Sequence, residues 1–342
     1  MMLAPAALFA GKASNAQPVT VPELELEGGR RLTFERTFWS EPEVHLKRGF
    51  WTKLVDLVAG APDFHALISP YEIVEDSRGR YIVTDPGAGG IHIFDFDKQK
   101  YKFISRDEYK DGLETPQCLA VDAADNIYVT DSTTGKIFVF EPSGKFQRVI
   151  GSLKGGEGYF KRPTGIAIDS AAQRIYVTDT LRNQIFILDM QGNVLRTIGK
   201  TGTGDVEFND PTELRLVGDN LIVVDAMNFR VQVLDKSGNF RYAVGHIGEG
   251  SGEMFRPKGI GLDSEGHLYV VEAISAMVQV FNDTGQLLYY FGQRGTGFGE
   301  FQLPTGLWID GQDRVLVVDS YNRRVQVFHY FGLKAAAAGG QH

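Results

Sequence analysis

The sequence predicts an all-β fold: a six-bladed β-propeller of four-stranded blades, in which an N-terminal strand closes the ring by pairing with the last blade. Three observations support this prediction. A proline followed by alternating apolar residues recurs six times at intervals of 46 to 48 residues. An acidic residue that ends a β-branched run recurs at almost the same spacing. The 40 glycines and 13 prolines among 342 residues are enough turn formers for many short strands.

The two repeated anchors can be located one by one. The prolines are Pro70, Pro116, Pro163, Pro211, Pro257 and Pro304. The acidic residues are Asp85, Asp131, Asp179, Asp225, Glu272 and Asp319. Four short strands in about 45 residues, repeated in this way, are typical of propeller blades. The regularity predicts one closed ring rather than the two domains that chain length alone suggests.

The third unit illustrates the strands expected within a blade. Apolar and β-branched residues occupy 165–169, 175–178, 185–188 and 194–198, with turn residues between them. Gly192 lies in the last of these turns, where a positive φ is expected. No unit has the 3.6-residue period of a helix, which excludes helical solenoids.

The last unit lacks its outermost strand. Its third strand, 325–328, is followed by a short tail, whereas residues 32–38 have the pattern of a fourth strand. We therefore predict that 32–38 completes the sixth blade, which removes an open sheet edge. This makes 30–332 a single propeller domain. Apolar positions on one helical face predict a short helical insertion at about 49–59.

The chain ends carry no blade pattern. Residues 1–16 resemble the apolar and cleavage regions of a secretory signal, although no basic residue precedes the apolar run. A misplaced start codon would explain that departure. We expect a signal remnant at 1–16, a flexible segment at 17–29 and a disordered tail at 333–342. A signal implies a periplasmic or extracellular protein; without one, the protein is cytoplasmic.

Composition excludes several classes of protein. A hydrophobic content of 43% is sufficient for a large core, and no stretch approaches the length of a membrane-spanning helix. The formal net charge of −8 argues against nucleic acid as a partner. The single cysteine, Cys118, excludes an internal disulfide and a CxxC motif. We interpret it as a small buried hydrophobe in an inner strand.

Several segments resemble NHL repeats, and the chain is identified as similar to exported bacterial proteins of that family. The segments are Pro163-Thr164-Gly165-Ile166-Ala167-Ile168-Asp169, Ile175-Tyr176-Val177-Thr178-Asp179 and Asn322-Arg323-Arg324-Val325-Gln326-Val327-Phe328. The resemblance covers about residues 60–332 and implies a six-bladed propeller. It implies a range of functions: RNA-binding or protein-binding modules, zinc-dependent lyases that act on hydroxyglycine peptides, and exported proteins without known activity. Some relatives occur beside multihaem cytochromes, which implies an envelope electron-transfer assembly as one setting.

Topology predicts where binding residues lie. In each blade, the loop before the first strand and the turn between the second and third strands lie on the same side of the ring. We call this side the entry face. Residues directly after the prolines should line the channel mouth on this face: Tyr71, Gln117, Thr164, Thr212, Lys258 and Thr305. Further binding candidates lie in the entry-face loops: Arg182, Phe229, Arg230, Met277, Tyr321 and Arg324. A water-filled channel mouth without a ligand is the alternative interpretation of the first set.

Two other repeated features are interpreted as structural. An acidic residue in every blade is expected to accept hydrogen bonds within its turn, with nearby arginines as ion-pair partners. Glycine-rich runs such as 199–204 precede a strand rather than a helix. They therefore lack the context of a phosphate loop and are predicted to connect blades.

The sequence favours a non-enzymatic scaffold that docks a protein or peptide partner on the entry face. It contains no recognisable catalytic set, and no cofactor is predicted. The alternative is a metal-dependent lyase or hydrolase at the channel mouth, with His65 and His246 as the histidine ligands. Two histidines do not make a three-histidine zinc site. The oligomeric state and the identity of the partner stay open.

Overall fold

Six antiparallel sheets surround a central channel as the blades of a propeller, as the sequence predicts; five have four strands, and the sixth has the same four strands and one added at its outer edge. The computed structural model describes residues 22–45, 64–106 and 112–333. The predicted signal remnant, the helical insertion at 49–59 and residues 334–342 of the tail lie outside the described residues. No helix in the described ranges is long and apolar enough to cross a membrane.

The strands follow one another from the channel outwards in every blade except the last. The chain first forms β1 (Glu23–Glu25) and β2 (Arg31–Phe38), which belong to blade 6. Blade 1 contains β3 (Glu72–Glu75), β4 (Tyr81–Asp85), β5 (Gly90–Asp95) and β6 (Lys100–Ser105). Blade 2 contains β7 (Pro116–Val121), β8 (Ile127–Asp131), β9 (Lys136–Phe140) and β10 (Phe146–Ile150). Blade 3 contains β11 (Pro163–Asp169), β12 (Arg174–Asp179), β13 (Gln184–Asp189) and β14 (Val194–Ile198).

The second half of the ring repeats this order. A short parallel pair, β15 (Lys200–Thr201) and β16 (Glu207–Phe208), lies in the connection to blade 4. Blade 4 contains β17 (Pro211–Val217), β18 (Asn220–Asp225), β19 (Arg230–Asp235) and β20 (Phe240–Val244). Blade 5 contains β21 (Pro257–Leu262), β22 (Leu268–Glu272), β23 (Met277–Phe281) and β24 (Leu287–Phe291). Blade 6 contains β25 (Pro304–Ile309), β26 (Arg314–Asp319) and β27 (Arg324–Phe331).

The N-terminal strand closes the ring, which confirms that prediction. Strand β2 pairs antiparallel with β27, from Arg31 opposite Phe331 to Phe38 opposite Val325. The sequence also predicted a flexible segment at 17–29, but within it β1 adds a fifth strand to blade 6. The physical reason is burial: Leu24 and Leu26 pack against the apolar cluster between blades 5 and 6.

The hydrophobic core is divided among the seams between neighbouring blades. One cluster joins Tyr128 and Val139 of blade 2 to Ile166 and Ile175 of blade 3. Equivalent clusters fill the seams around the rest of the ring. Each blade therefore buries both of its faces, and burial of this apolar area stabilises the ring.

The repeated acidic residues are structural, as predicted. The Asp85 carboxylate is fully buried and accepts backbone hydrogen bonds from Ile68 at 2.7 Å and Ser69 at 2.9 Å. Asp131 and Asp179 bind the loops that enter their own blades in the same way. These bonds fix the loop before each inner strand, and so they position the residues that line the channel.

Glu75 lies at the end of β3, on the face opposite the entry face, and gives a test of local electrostatics. Burial and the Asp310 carboxylate raise its pKa to about 7, although Arg314 lies 3.4 Å away. Because the folded protein keeps this proton up to a higher pH than the unfolded chain, the stability that Glu75 contributes is complete below pH 4.5 and is lost as the pH rises through 7.

Replacing Glu75 by glutamine should remove this pH dependence, because glutamine cannot lose a proton. Solvent screening at this half-buried site reduces the effect, so we expect about 1 kcal/mol. Between pH 4.5 and pH 8, the melting temperature of Glu75→Gln should gain about 1–2 °C relative to the wild type. Thermal denaturation across this range tests the prediction, and parallel pH profiles for the two proteins would contradict it.

Candidate functional site

The residues that line the channel include one from each blade at a position where the blades differ in sequence. Two residues after the repeated proline, three blades have glycine: Gly165, Gly259 and Gly306. The other three blades have Glu72, Cys118 and Glu213 at this position. Single ligand atoms of these three side chains lie within 4.8 Å of one another, and all three residues are buried. These three residues and Arg215, which contacts both glutamates, are called the channel cluster below.

The glycines leave the room that the charged side chains need. Glu72 and Glu213 come from blades 1 and 4, on opposite sides of a six-bladed ring, so they must reach across the channel to meet. A Cβ atom on Gly306 would lie 2.9 Å from Glu72 Oε1 and 2.7 Å from the Tyr71 carbonyl oxygen. A Cβ on Gly165 would lie 2.8 Å from Glu213 Cα. Larger residues at either position would therefore push the carboxylate-bearing strands apart.

Arg215 joins the two carboxylates. Its Nη2 atom donates to Glu72 Oε1 at 2.5 Å and lies 3.2 Å from Glu213 Oε1. The same nitrogen donates to the Leu307 carbonyl, and the guanidinium carbon lies 5.1 Å from the centre of the Trp308 ring. Only 7% of Arg215 is exposed. The ion pairs are therefore almost completely removed from water.

Threonine side chains fix the backbone beneath the cluster. The Thr84 hydroxyl accepts a hydrogen bond from the Glu72 amide at 3.1 Å and donates to the Gln117 carbonyl of the next blade. Thr130 accepts from the Cys118 amide and donates to the Thr164 carbonyl. Each hydroxyl ties an inner strand to its neighbour, so the cluster is held on rigid elements.

Burial and mutual charge set the protonation of the cluster. Burial raises the pKa of Glu213 well above its usual value, and the negative charge of Glu72 raises it further. Burial, followed by the charge of Glu213, also raises the pKa of the Cys118 thiol. Cys118 Sγ lies 3.8 Å from Glu213 Oε2. The expectation that Cys118 is a small hydrophobe is thus incomplete, because its sulfur faces two carboxyl groups.

Four buried polar atoms in this region have no hydrogen-bond partner among the described residues. They are Glu72 Oε2, Arg215 Nε, Thr212 Oγ1 and Trp308 Nε1. Buried polar groups in folded proteins are nearly always hydrogen-bonded. The channel therefore has unused capacity to bind a polar or charged group.

The structure places the predicted mouth residues at the entry end of the channel, with different environments. Thr164 is buried, and its hydroxyl is bonded to those of Thr178 and Thr180. Gln117, Thr212 and Thr305 are partly exposed. Lys258 Nζ lies 5.6 Å from the centre of the Tyr71 ring.

Three cationic side chains, Arg162, Arg256 and Lys258, lie close together at the mouth. Burial, and then the charge of Arg256, lower the pKa of Lys258, and Arg162 acts in the same direction. Arg162 and Arg256 are exposed. Within the described ranges, none of these three cations forms an ion pair. An anionic group at the mouth would therefore relieve their mutual repulsion.

The other predicted entry-face residues divide into two sets. Arg182, Arg230 and Arg324 pair with the structural carboxylates Asp179, Asp225 and Asp319 at 3.0, 2.9 and 2.8 Å. Phe229 and Met277 are half-buried, whereas 70% of Tyr321 is exposed. Tyr321 is therefore the member of this set most accessible to a partner.

The two histidines of the metal alternative lie in separate surroundings. His65 Nδ1 is 3.5 Å from Glu41 Oε2, and its ring stacks on Phe103. His246 Nε2 is 3.7 Å from Glu253 Oε1 and is largely exposed. Neither belongs to the group of metal-capable side chains found among the described residues.

Sequence reasoning missed Glu72, Glu213, Arg215 and Trp308. These residues could have been found from the sequence, because each departs from the repeat pattern. Glutamate replaces glycine two residues after Pro70 and Pro211, and Arg215 and Trp308 occupy a position, four after the proline, where the other blades have valine, alanine or glycine.

The fold and the channel define the protein as a six-bladed β-propeller. A family model described as a 6-bladed beta-propeller, DUF5128, matches residues 116–175, 167–216 and 205–279. The predicted resemblance to NHL repeats is therefore confirmed for the propeller fold and not for that family. No curated protein matches the sequence.

Solved structures of low sequence identity share the fold. A Staphylococcus aureus virginiamycin B lyase with quinupristin is 17% identical, with a TM-score of 0.56 over 78% of this chain and 85% of that one. An auxiliary nutrient binding protein from Bacteroides thetaiotaomicron is 14% identical, with a TM-score of 0.59 over 78% and 70%. Kuenenia stuttgartiensis hydrazine synthase is 14% identical, with a TM-score of 0.54 over 76% and 95%. At these identities the likeness concerns the fold alone.

Proposed function

We propose that this protein is a binding propeller that docks an extended peptide segment of a partner on its entry face. The observation that carries the proposal is the distribution of exposed large hydrophobic residues. Among the described residues there are sixteen, and ten of them lie on the entry face. These ten are Trp39, Ile68, Leu153, Leu181, Met227, Ile247, Phe255, Phe298, Leu303 and Tyr321. Of the other six, Val217 and Leu333 lie on the opposite face, and Val194, Leu195, Leu288 and Tyr290 lie on outer strands.

Charge indicates what kind of segment fits. The cations Arg162, Arg256 and Lys258 lie at the channel mouth and form no ion pair with a carboxylate of the described residues, although Glu213 is near enough to act on Lys258. A segment with apolar side chains for the entry face and an acidic side chain or carboxyl terminus for the mouth would complement both features. Export from the cytoplasm, and an electron-transfer assembly as the setting, stay predictions of the sequence.

Selection from a random peptide library displayed on phage tests this function. The wild-type protein should enrich peptides that combine apolar residues with aspartate or glutamate. The double variant Met227→Ser/Tyr321→Ser should bind a selected peptide at least tenfold more weakly, which corresponds to about 1.4 kcal/mol. The melting temperature should stay unchanged, because both side chains are exposed.

The outer strand of blade 5 provides a matched control. Leu288 and Tyr290 are also exposed large hydrophobic residues, at 44% and 48%, but they lie on β24, away from the entry face. The double variant Leu288→Ser/Tyr290→Ser should bind the peptide as the wild type does. Failure to enrich any peptide, or equal loss of binding in both double variants, would reject entry-face docking.

A further inference from the structure

We propose that Glu72, Cys118 and Glu213 bind a single divalent transition-metal ion of the zinc type in the channel, with Arg215 as a positioning residue that orients both carboxylates. The proposal concerns a set of ligands different from the two histidines considered above, and it does not depend on peptide docking. It starts from the convergence of the three ligand atoms within 4.8 Å of one another.

The arrangement of the oxygens is the first argument. Arg215 engages Oε1 of both glutamates, and the Ile73 amide also donates to Glu72 Oε1. This leaves the Oε2 atoms for a further partner. Glu72 Oε2 is buried and has no described partner, and Glu213 Oε2 lies beside the Cys118 sulfur. An arginine that holds one oxygen of each carboxylate fixes the direction of the other, as groups behind metal ligands do.

Distances are compatible with coordination after a small adjustment. Zinc binds sulfur at about 2.3 Å and carboxylate oxygen at about 2.1 Å, so neighbouring ligands in a tetrahedral site lie about 3.6 Å apart. The separation of Cys118 Sγ from Glu213 Oε2 is 3.8 Å. The widest separation in the group is below 4.8 Å, so a movement of about 1 Å draws the side chains together.

Charge selects a divalent ion. Once both glutamates and the cysteine are deprotonated to bind an ion, they and the guanidinium carry a combined charge of −2, which a divalent cation neutralises. The thiolate favours zinc-type ions, since calcium and magnesium prefer ligand sets made of oxygen atoms.

Cobalt(II) is a suitable probe because a cobalt–thiolate bond gives a strong near-ultraviolet absorption band. The full-length protein, purified with a chelator and a reducing agent and then freed of both, should bind one equivalent of Co²⁺ and show this band. Added Zn²⁺ should remove the band by competition. Cys118→Ser should lose the band, and Glu72→Gln should bind Co²⁺ at least tenfold more weakly.

His246→Ala is the control for adventitious binding, because His246 is an exposed histidine near Glu253. This variant should keep both the band and the affinity. Absence of the band in wild-type protein at stoichiometric Co²⁺, or its persistence in Cys118→Ser, would overturn the proposal. If either cluster variant fails to fold, crystals of the wild-type protein soaked in Zn²⁺ provide the test. Anomalous scattering should then place zinc within about 2.5 Å of Cys118 Sγ, and zinc bound elsewhere would reject the site.

Discussion

Replacing Arg215 by methionine should lower the free energy of unfolding by about 3–5 kcal/mol, the usual cost of breaking a buried ion pair. Arg215 is 7% exposed, and its guanidinium contacts the carboxylates of both Glu72 and Glu213. Methionine fills much of the same volume but leaves the Glu72 carboxylate in the channel without its cation. Urea denaturation of metal-free protein at pH 7, followed by circular dichroism, measures the loss.

A triple variant of the cluster separates the effect of the unpaired charge on stability from the effect of altered packing. The triple variant Glu72→Gln/Glu213→Gln/Arg215→Met removes the buried charges together and should recover most of the lost stability. Lys145→Met is the control, since Lys145 pairs with Glu141 at 3.8 Å on the surface. It should cost less than about 1 kcal/mol. A loss below 1 kcal/mol for Arg215→Met, or no recovery in the triple variant, would show that the ion pairs do not govern stability here.

The fold could be predicted from the sequence because it is encoded six times. A proline, an alternating strand and an acidic strand end recur in every blade, and each repeat supports the others. The closing strand β2 was predictable for the same reason, as blade 6 has only three strands without it. The short strand β1 was not, because its three residues depend on packing against a seam formed by distant parts of the chain.

The channel cluster could not be predicted so directly, because it depends on departures from the repeat. The sequence drew attention to the residue after each proline, which lines the mouth, whereas the next residue faces the cluster. Cys118 and Glu213 are 95 positions apart, and ring closure alone brings them together. Considered singly, Cys118 has no polar partner nearby in sequence, so the apolar interpretation was the natural one.

The entry-face arginines, unlike the channel cluster, were located correctly from the repeat, but their contacts are structural. Arg182, Arg230 and Arg324 lie where the topology places them, but their guanidinium groups bind structural carboxylates and loop carbonyls. Repetition of a charged residue across blades therefore indicates a part in maintaining the scaffold. The chemistry specific to this chain lies at positions where one blade differs from the others.

Phe38→Ala should destabilise the protein by about 3–5 kcal/mol, as expected for a large core side chain replaced by alanine. Phe38 is the last residue of the closing strand β2, and 1% of it is exposed. Its ring centre lies 5.1 Å from that of Phe94 and 5.7 Å from that of Tyr81, both in blade 1. The side chain thus fastens the closing strand to the seam between the last blade and the first. Urea denaturation gives the free energy.

The neighbouring residue supplies the control. Trp39 is 46% exposed, and Trp39→Ala should change stability by less than about 0.5 kcal/mol. Size-exclusion chromatography adds a second readout, because release of β2 would expose the edge of β27 and promote self-association. Equal stability losses in the two variants, or a Phe38→Ala protein as stable and monodisperse as the wild type, would show that the ring does not depend on this closure. The expected difference between the two variants follows from chain connectivity. In the other blades a hairpin turn joins the third and fourth strands, whereas β2 and β27 are separated by the whole ring. Packing and hydrogen bonds alone therefore keep β2 paired with β27.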